Sequence, residues 1–326
     1  MKNIIIATDT FEQVNGVSTT YKNILKVTKR KIGVVHPGLF KWKSMKYYPE
    51  IQICIQPYKV YKYLKASNPS HIHIATEGPI GLVARFFCKT NKVTFTSGYH
   101  TKFPEYLNIY FKLPINIGYF LFKLFHKKSQ AVLVPSLSCL NDLKAKGFNN
   151  LVLWTRGVDK SLISHKIQKS NSKKIKVLSV GRVSKEKNLE ELCKYYEHFD
   201  ITIVGEGPEL EKLKQKYPDI NFPGYKFGNE LAKYYSQNDV FCFTSKTDTF
   251  GIVIIEALCN GLPIAAFNVT GPKDIVEKKI NGFLSNNMYQ NILKCKSLNR
   301  SKIKKAAVKK WSWLNTEKIL FEQIPN

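Results

Sequence analysis

Short runs of Ile, Val and Phe recur along the whole chain, most of them followed by a helix-length segment. This alternation restricts the fold more than any other feature of the sequence. A strand covered by helices on both faces has no polar side, so it reads as a continuous apolar run. In the first half such runs fall at residues 4–8, 32–36, 51–55, 71–75, 93–97, 131–134 and 151–154, with helical patterns at 17–29, 79–90 and 137–146. A polar stretch with linker composition follows at 166–174, KIQKSNSKK. The alternation then restarts, with apolar runs at 176–180, 201–204, 240–243 and 263–267. The pattern predicts an α/β protein of two Rossmann-like domains, their parallel sheets facing an interdomain cleft. The expected boundaries are 1–160 for the first domain, 161–174 for a linker and 175–305 for the second domain. Residues 306–326 are expected to form a C-terminal helix docking back on the first domain. The helical run 301–324 carries Trp311 and Trp313, which are costly to leave in water.

A length of 326 residues, 44% hydrophobic and 23% charged, is comfortable for two globular domains. The unusual quantity is the net charge of +27. Residues 1–160 hold 24 Lys and Arg against 7 Asp and Glu, a net of +17, and the remainder holds 27 against 17, a net of +10. Nucleic acid, an anionic membrane surface and phosphorylated substrates are the partners that suit such a charge. A Lys-, Asn- and Ile-rich composition accounts for it without any partner. No aromatic–basic RNA signature, zinc module or helix-turn-helix pattern is present, so a basic nucleic-acid-binding protein stands only as the alternative reading. The seven cysteines are scattered, without a C-x-x-C, and read as small buried hydrophobes in a reducing compartment. No signal peptide and no run of 18 apolar residues is visible, and the expected location is cytoplasmic or peripheral on the inner face of a membrane.

The richest segment is 244–261, TSKTDTFGIVIIEALCNG. It sets Asp248 and Glu256 eight positions apart, on nearly the same face of a helix that opens at the glycine turn Phe250–Gly251. The first N–H groups of that helix suit phosphate or sugar oxygens, and the two carboxylates suit hydroxyls. An ordinary capped amphipathic helix is the bland account of the same residues. Arg182 and Lys187, in GRVSKEKN, put two cations at the end of a strand, where a departing diphosphate needs a partner. Surface charge on a solvated turn is the competing account. Glu206 lies in the turn GEGP, whose backbone either shapes a turn or lines a nucleotide pocket. Gly16, in the loop after the first strand, lets the backbone approach a ligand at a helix start. The fingerprint G-x-G-x-x-G is absent, which disfavours a nicotinamide cofactor.

His100 follows the run 93–97 and is expected at the cleft, where it binds the transferred sugar, organises the reacting centre, or is structural. His71 and His73 read as structural residues on opposite faces of a strand. Glu77, in ATEGPIG, is expected to face the cleft. There is no D-x-D, so no essential metal is expected, and cations and helix dipoles take that role. The segment 113–122, LPINIGYFLF, with Lys112, Lys123, Lys127 and Lys128 beside it, reads either as a core helix or as one lying in a membrane interface.

Taken together, NGVSTT, HIATEGPIG, YHTKFPEY, LWTRGVD, GRVSKEKN, GEGP, TDTFGIVIIEALCNGLPI and TGPKDIV resemble, in order and over nearly the whole chain, the retaining GT-B glycosyltransferases of family 4, the glycosyl transferases group 1. The wording is most similar to the branch of GDP-mannose-dependent α-mannosyltransferases and sulfoquinovosyl-diacylglycerol synthases. The resemblance implies that Arg182 and Lys187 hold the donor diphosphate and that Glu256 bonds the ribose. It implies that Asp248 and the backbone at Phe250, Gly251 and Ile252 grip the sugar and phosphate, and that His100 contacts the transferred sugar. It further implies a nucleoside-diphosphate sugar, GDP-mannose or a UDP-hexose, as co-substrate. A glycan or lipid is the implied acceptor. The family often has glutamate where this chain has Asp248, though aspartate is usual in the TDTFG branch.

Overall fold

The computed structural model describes residues 3–325 apart from 14, 46–47, 164–165 and 169–171. The chain divides into two compact units, Met1–Arg156 with Trp313–Asn326, and Gly157–Ser312. The division therefore falls a few residues before the expected boundary at 160. Part of the expected linker 161–174 lies outside the described residues. Of the rest, Leu162 is buried in the core of the second unit, and the Gln168 N–H donates to the Ser236 carbonyl at 3.2 Å.

The strands of the first unit are β1 (Ile4–Ala7), β2 (Ile32–Val35), β3 (Trp42–Met45), β4 (Tyr48–Cys54), β5 (His71–Ile74), β6 (Thr94–Gly98), β7 (Val132–Val134) and β8 (Leu151–Leu153). Six of them form a parallel sheet in the order β2-β1-β5-β6-β7-β8. The run 51–55 was expected in that sheet. It belongs instead to β4, which pairs antiparallel with β3 as a separate ribbon. The two strands are joined too closely for the long crossover that parallel pairing requires.

The second unit holds β9 (Lys176–Val180), β10 (Asp200–Val204), β11 (Asn221–Gly224), β12 (Val240–Phe243), β13 (Ile264–Ala266) and β14 (Gly282–Leu284), all parallel, in the order β11-β10-β9-β12-β13-β14. Val177, Ile201, Ile203, Val240, Cys242 and Ala265 enter one core cluster, and Leu178, Phe241, Phe243, Ile264 and Ala266 enter another. Successive residues thus feed opposite faces and both faces are covered, which is why these strands read as unbroken apolar runs. Each Val, Leu, Ile or Phe among them contributes on the order of 1.5–3 kcal/mol on burial. The edge strands β11 and β14 are short, and β11 accommodates Pro223 because an edge has an unpaired side.

The terminal run 301–324 is two helices, Arg300–Lys310 and Trp313–Glu322, broken at Trp311. The first belongs to the second unit, where Trp311 packs edge-on against Phe250. The second belongs to the first unit: its Thr316 carbonyl accepts from Trp154 Nε1 at 2.7 Å, and Glu317 accepts from Thr28 Oγ1 at 2.8 Å. Trp311 and Trp313 are both buried, and so are all seven cysteines, none of them in a disulfide.

Candidate active site

In each sheet the strand order reverses once, between β1 and β5 and between β9 and β12. Ligands of open α/β sheets bind at such a reversal, beyond the carboxyl ends of the strands. In the second unit the two loops at the reversal are those that carry Arg182, Lys187 and Asp248. The loop after β9 runs to a single 3₁₀ turn, Lys185–Lys187, ended by Asn188 in a left-handed conformation with φ 52°. The loop after β12 is sewn to it. Thr244 Oγ1 donates to the Lys187 carbonyl at 2.7 Å, and Ser245 Oγ donates to the Glu186 carbonyl at 3.3 Å. Lys187 Nζ then meets both Asp248 oxygens, at 2.7 and 2.8 Å, with side chains 24% and 16% exposed.

Asp248 and Glu256 do not share a helix face. Gly251 stands between them at φ 87°, and the helix Ile252–Cys259 begins only after it, so helical periodicity does not relate the two residues. Glu256 is buried within that helix and accepts from Tyr235 Oη at 2.8 Å. Burial pushes its carboxyl up to about 7, against the lowering effect of the Tyr235 bond, and Asp159 adds to the rise. Tyr235, on the helix Gly228–Gln237, carried no signal in the sequence.

The Phe250 side chain is core, so the turn offers a ligand its backbone rather than that ring. The N-cap residue, Gly251, has no side chain with which to cap the helix, and Ile252 at its start is half-buried. Its first N–H groups therefore point along the positive end of the helix dipole. Gly271 closes the turn from behind: a Cβ there would lie 2.9 Å from the Phe250 carbonyl oxygen and 3.1 Å from that of Asp248.

Arg182 lies on the loop after β9, with Tyr225 and Glu206 in its electrostatic neighbourhood. Burial raises the Tyr225 phenol, Arg182 lowers it and Glu206 raises it further. Glu206 is exposed, and its carbonyl accepts the Val183 N–H at 2.8 Å. The glycines beside it answer to packing. A Cβ at Gly205 would lie 1.9 Å from the Gly181 carbonyl oxygen, and one at Gly207 would lie 2.4 Å from that of Val183. GEGP is thus where the loops after β9 and β10 touch backbone to backbone.

In the first unit, Gly16 is the first residue of the helix Gly16–Val27. Asn15 Oδ1 caps that helix, accepting from the N–H groups of Val17 and Ser18 at 3.0 and 2.9 Å. The neighbouring helix, Pro79–Asn91, is capped from a distance by Asp9, which accepts from Ile80 N at 2.7 Å and Gly81 N at 3.3 Å. Burial holds the Asp9 carboxyl up, to about 6. This contact explains ATEGPIG: a Cβ at Gly78 would lie 2.5 Å from Asp9 Cγ, and one at Gly81 would lie 1.8 Å from the Thr76 carbonyl oxygen. Glu77 is buried beside His126, at 3.2 Å, rather than facing outward.

His100 is not alone either. Its Nε2 meets Tyr21 Oη at 2.7 Å and its Nδ1 meets Arg156 Nη2 at 2.8 Å. Tyr21 Oη also meets His73 Nε2 at 2.7 Å. His71 and His73 do not point to opposite faces. Residues two apart on a strand share a face, and both bond Thr96 Oγ1, at 3.1 and 2.9 Å. Of the sequence-singled residues, then, Lys187 and Asp248 are brought into contact. Arg182 and Glu206 share one neighbourhood, and Glu256 takes a partner of its own.

The family model described as glycosyl transferases group 1 matches residues 161–293, and that of glycosyltransferase family 4 matches 32–162. The chain is 32% identical over 241 residues to the sulfoquinovosyl transferase SQD2 of Arabidopsis thaliana, covering 67% of this chain and 47% of that protein. It is 32% identical over 233 residues to a GDP-mannose-dependent α-mannosyltransferase of Corynebacterium glutamicum, covering 68% and 56%. The chain therefore spans about half the length of these two relatives. Among solved structures, HepE of Anabaena, crystallised with UDP and glucose, is similar with a TM-score of 0.75 at 15% identity over 99% of each chain. Sucrose-phosphate synthase of Thermosynechococcus elongatus is similar with a TM-score of 0.75 at 16% identity over 99% and 98%. These likenesses establish the GT-B fold, and with the two family models they show that the chain belongs to the family 4, group 1 glycosyltransferases.

Proposed function

We propose that the chain is a retaining hexosyltransferase that moves a mannose- or glucose-type sugar from GDP-mannose or a UDP-hexose to an acceptor hydroxyl. The observation that supports this most is the Lys187–Asp248 pair at the strand-order reversal of the second unit. A cation and a carboxylate in two-point contact there can part to engage a phosphate and a sugar hydroxyl respectively. In this reading Arg182 and Lys187 neutralise the diphosphate, helped by the helix start at Gly251. Asp248 and the backbone of Phe250, Gly251 and Ile252 hold the hexose and its phosphate. Glu256 takes the ribose, and the backbone at Glu206 lines the nucleotide.

The bond from the anomeric carbon to the diphosphate breaks as the acceptor oxygen bonds to the same face of that carbon. The acceptor proton passes to the departing phosphate oxygen. No protein nucleophile is needed, and the rate gain comes from stabilising the leaving group and positioning the acceptor. The positive charge in this scheme is that of the two side chains and the helix start, with no metal assigned to it. A thermal-shift series with GDP, UDP, ADP and their sugars tests the reading. One nucleoside diphosphate, at about 100 times its Kd, is expected to stabilise the protein by about 2.7 kcal/mol, and Lys187→Ala is expected to abolish that gain. No shift with any of them sinks it.

A specific observation supports a lipid-linked acceptor at a membrane surface. The helix Ile115–His126 buries Gly118, Tyr119, Phe125 and His126 and leaves Ile115, Ile117, Phe120, Leu121 and Leu124 exposed. One side of it thus packs into the core through Tyr119, Phe122 and Phe125, as the competing account expects, and the other side leaves an apolar face outward. Arg85 ties this helix to Pro79–Asn91 by donating to the Leu124 and Phe125 carbonyls, and Leu82 and Phe86 of that second helix are exposed as well. Lys112, Lys123, Lys127 and Lys128 are exposed around the face. Among the described residues no helix is long and apolar enough to cross a membrane. An apolar face with a basic fringe suits the headgroup region of an anionic bilayer. Flotation with vesicles containing anionic lipid should carry the protein at low salt, and Phe120→Asp with Leu124→Asp should release it. Failure of the unaltered protein to float at low salt rules out this acceptor reading.

A further inference from the structure

The hydrogen bonds around His100 admit only one direction. A guanidinium donates and never accepts, so the Arg156 N–H donates to His100 Nδ1, which must be unprotonated. The His100 proton is then on Nε2 and is donated to Tyr21 Oη. Tyr21 is buried with these two ring nitrogens as its hydrogen-bond partners, so its own proton goes to His73 Nε2 rather than being left unsatisfied. His73 is therefore the Nδ1–H tautomer and donates to Thr96 Oγ1 at 2.9 Å. Thr96 in turn donates to His71 Nε2 at 3.1 Å, and His71 Nδ1–H donates to Thr94 Oγ1 at 3.0 Å. The origin of the chain is rigid. Arg156 is buried, lies 4.3 Å from the Trp154 ring centroid and donates to the Trp154 carbonyl at 2.6 Å.

We propose that Tyr21 is a positioning residue for His100: the one-way chain from Arg156 through His100 and Tyr21 to His73 and Thr96 holds the His100 ring as a neutral Nε2–H tautomer in one orientation. Both ring nitrogens are thereby committed. His100 is held as an oriented ring rather than as a proton carrier, and Tyr21 and His73 act on turnover only through it. Burial works in the same direction, holding His100 well below its ordinary range and His73 down to about 3. The effect on turnover rests on the proposed transferase activity, whereas the tautomers do not.

Nitrogen-15 NMR of the histidine side chains in the unaltered protein is the first test. His100 is expected as Nε2–H, and His71 and His73 as Nδ1–H. A His73 that is Nε2–H or charged at neutral pH overturns the chain, whether or not the protein transfers sugar. The second test is Tyr21→Phe, which removes one donor and one acceptor and leaves the ring. It is expected to lower kcat about tenfold with the donor KM within twofold, and to mix the His73 tautomers. A kcat unchanged by Tyr21→Phe, or a loss carried by KM, overturns the positioning role. Should that variant not fold, Arg156→Lys against Arg156→Met decides: lysine keeps a donor toward Nδ1 and should retain the His73 tautomer, methionine should not. Loss of the tautomer in Arg156→Lys, or its retention in Arg156→Met, removes Arg156 as the origin.

Discussion

Lys187→Ala is expected to lower turnover about 10²–10³-fold, the range found when a single preorganised electrostatic stabiliser is deleted. The same change leaves the mostly buried Asp248 without the ammonium that now meets both of its oxygens. Stability should fall by about 1–3 kcal/mol for that reason alone. The two effects are separable. Adding Asp248→Asn removes the orphaned charge and should restore most of the melting temperature, while turnover stays low because no cation has returned to the leaving group. A single Lys187→Ala variant turning over within tenfold of the unaltered enzyme would remove Lys187 from the site. Recovery of turnover with the second change would show that the first loss was structural.

Glu256→Gln should behave in the opposite sense, stabilising the protein at alkaline pH while impairing it. The Glu256 carboxyl is raised from an ordinary 4.5 to about 7, chiefly by burial. A carboxyl whose value is raised by folding stabilises the native state below its unfolded value, and that contribution is lost as pH climbs through the folded value. The loss in this case spans pH 4.5 to about 7 and amounts to about 3 kcal/mol at most. Glutamine keeps an oxygen for the Tyr235 hydroxyl and never ionises. Denaturant melts should therefore give the variant a relative gain of up to about 3 kcal/mol between about pH 4.5 and about pH 9. Its nucleotide affinity should drop, because a carboxylate accepts ribose hydroxyls better than an amide does. Parallel stability curves for the two proteins across that range would show that Glu256 is not a buried ionising group.

Most strands were legible because their burial on both faces leaves an apolar run that no other element shows at that length. β11 and β14 were not, since β11, NFPG, holds one large apolar residue beside a proline and a glycine, and β14, GFL, holds only two. β3 carries no apolar run, and the run 51–55 in β4 shows that a segment is a strand but not which strand it pairs with. Site residues divided along similar lines. Arg182, Lys187 and Asp248 stood out because loops after strands carry unusual charge. Tyr21, His73, Arg156 and Tyr235 lie inside ordinary helices, strands and turns, and their partners are distant in the chain: His73 meets a tyrosine from the first helix, and Tyr235 meets a glutamate on the following helix.

The amino-acid order alone determined the two parallel α/β units, the loops proposed to carry the chemistry, and the family, because these rest on periodicity and on local motifs. Which carboxylate meets which cation was decided only in three dimensions. A left-handed glycine at 251 took Asp248 off the helix and gave it to Lys187, while burial gave Glu256 to Tyr235. The proton order around His100 belongs to the tertiary structure as well. It needs an arginine from after β8, a tyrosine from the first helix and a histidine from β5 within one another's reach. Pairings of that kind depend on how distant segments pack, and no local pattern encodes them.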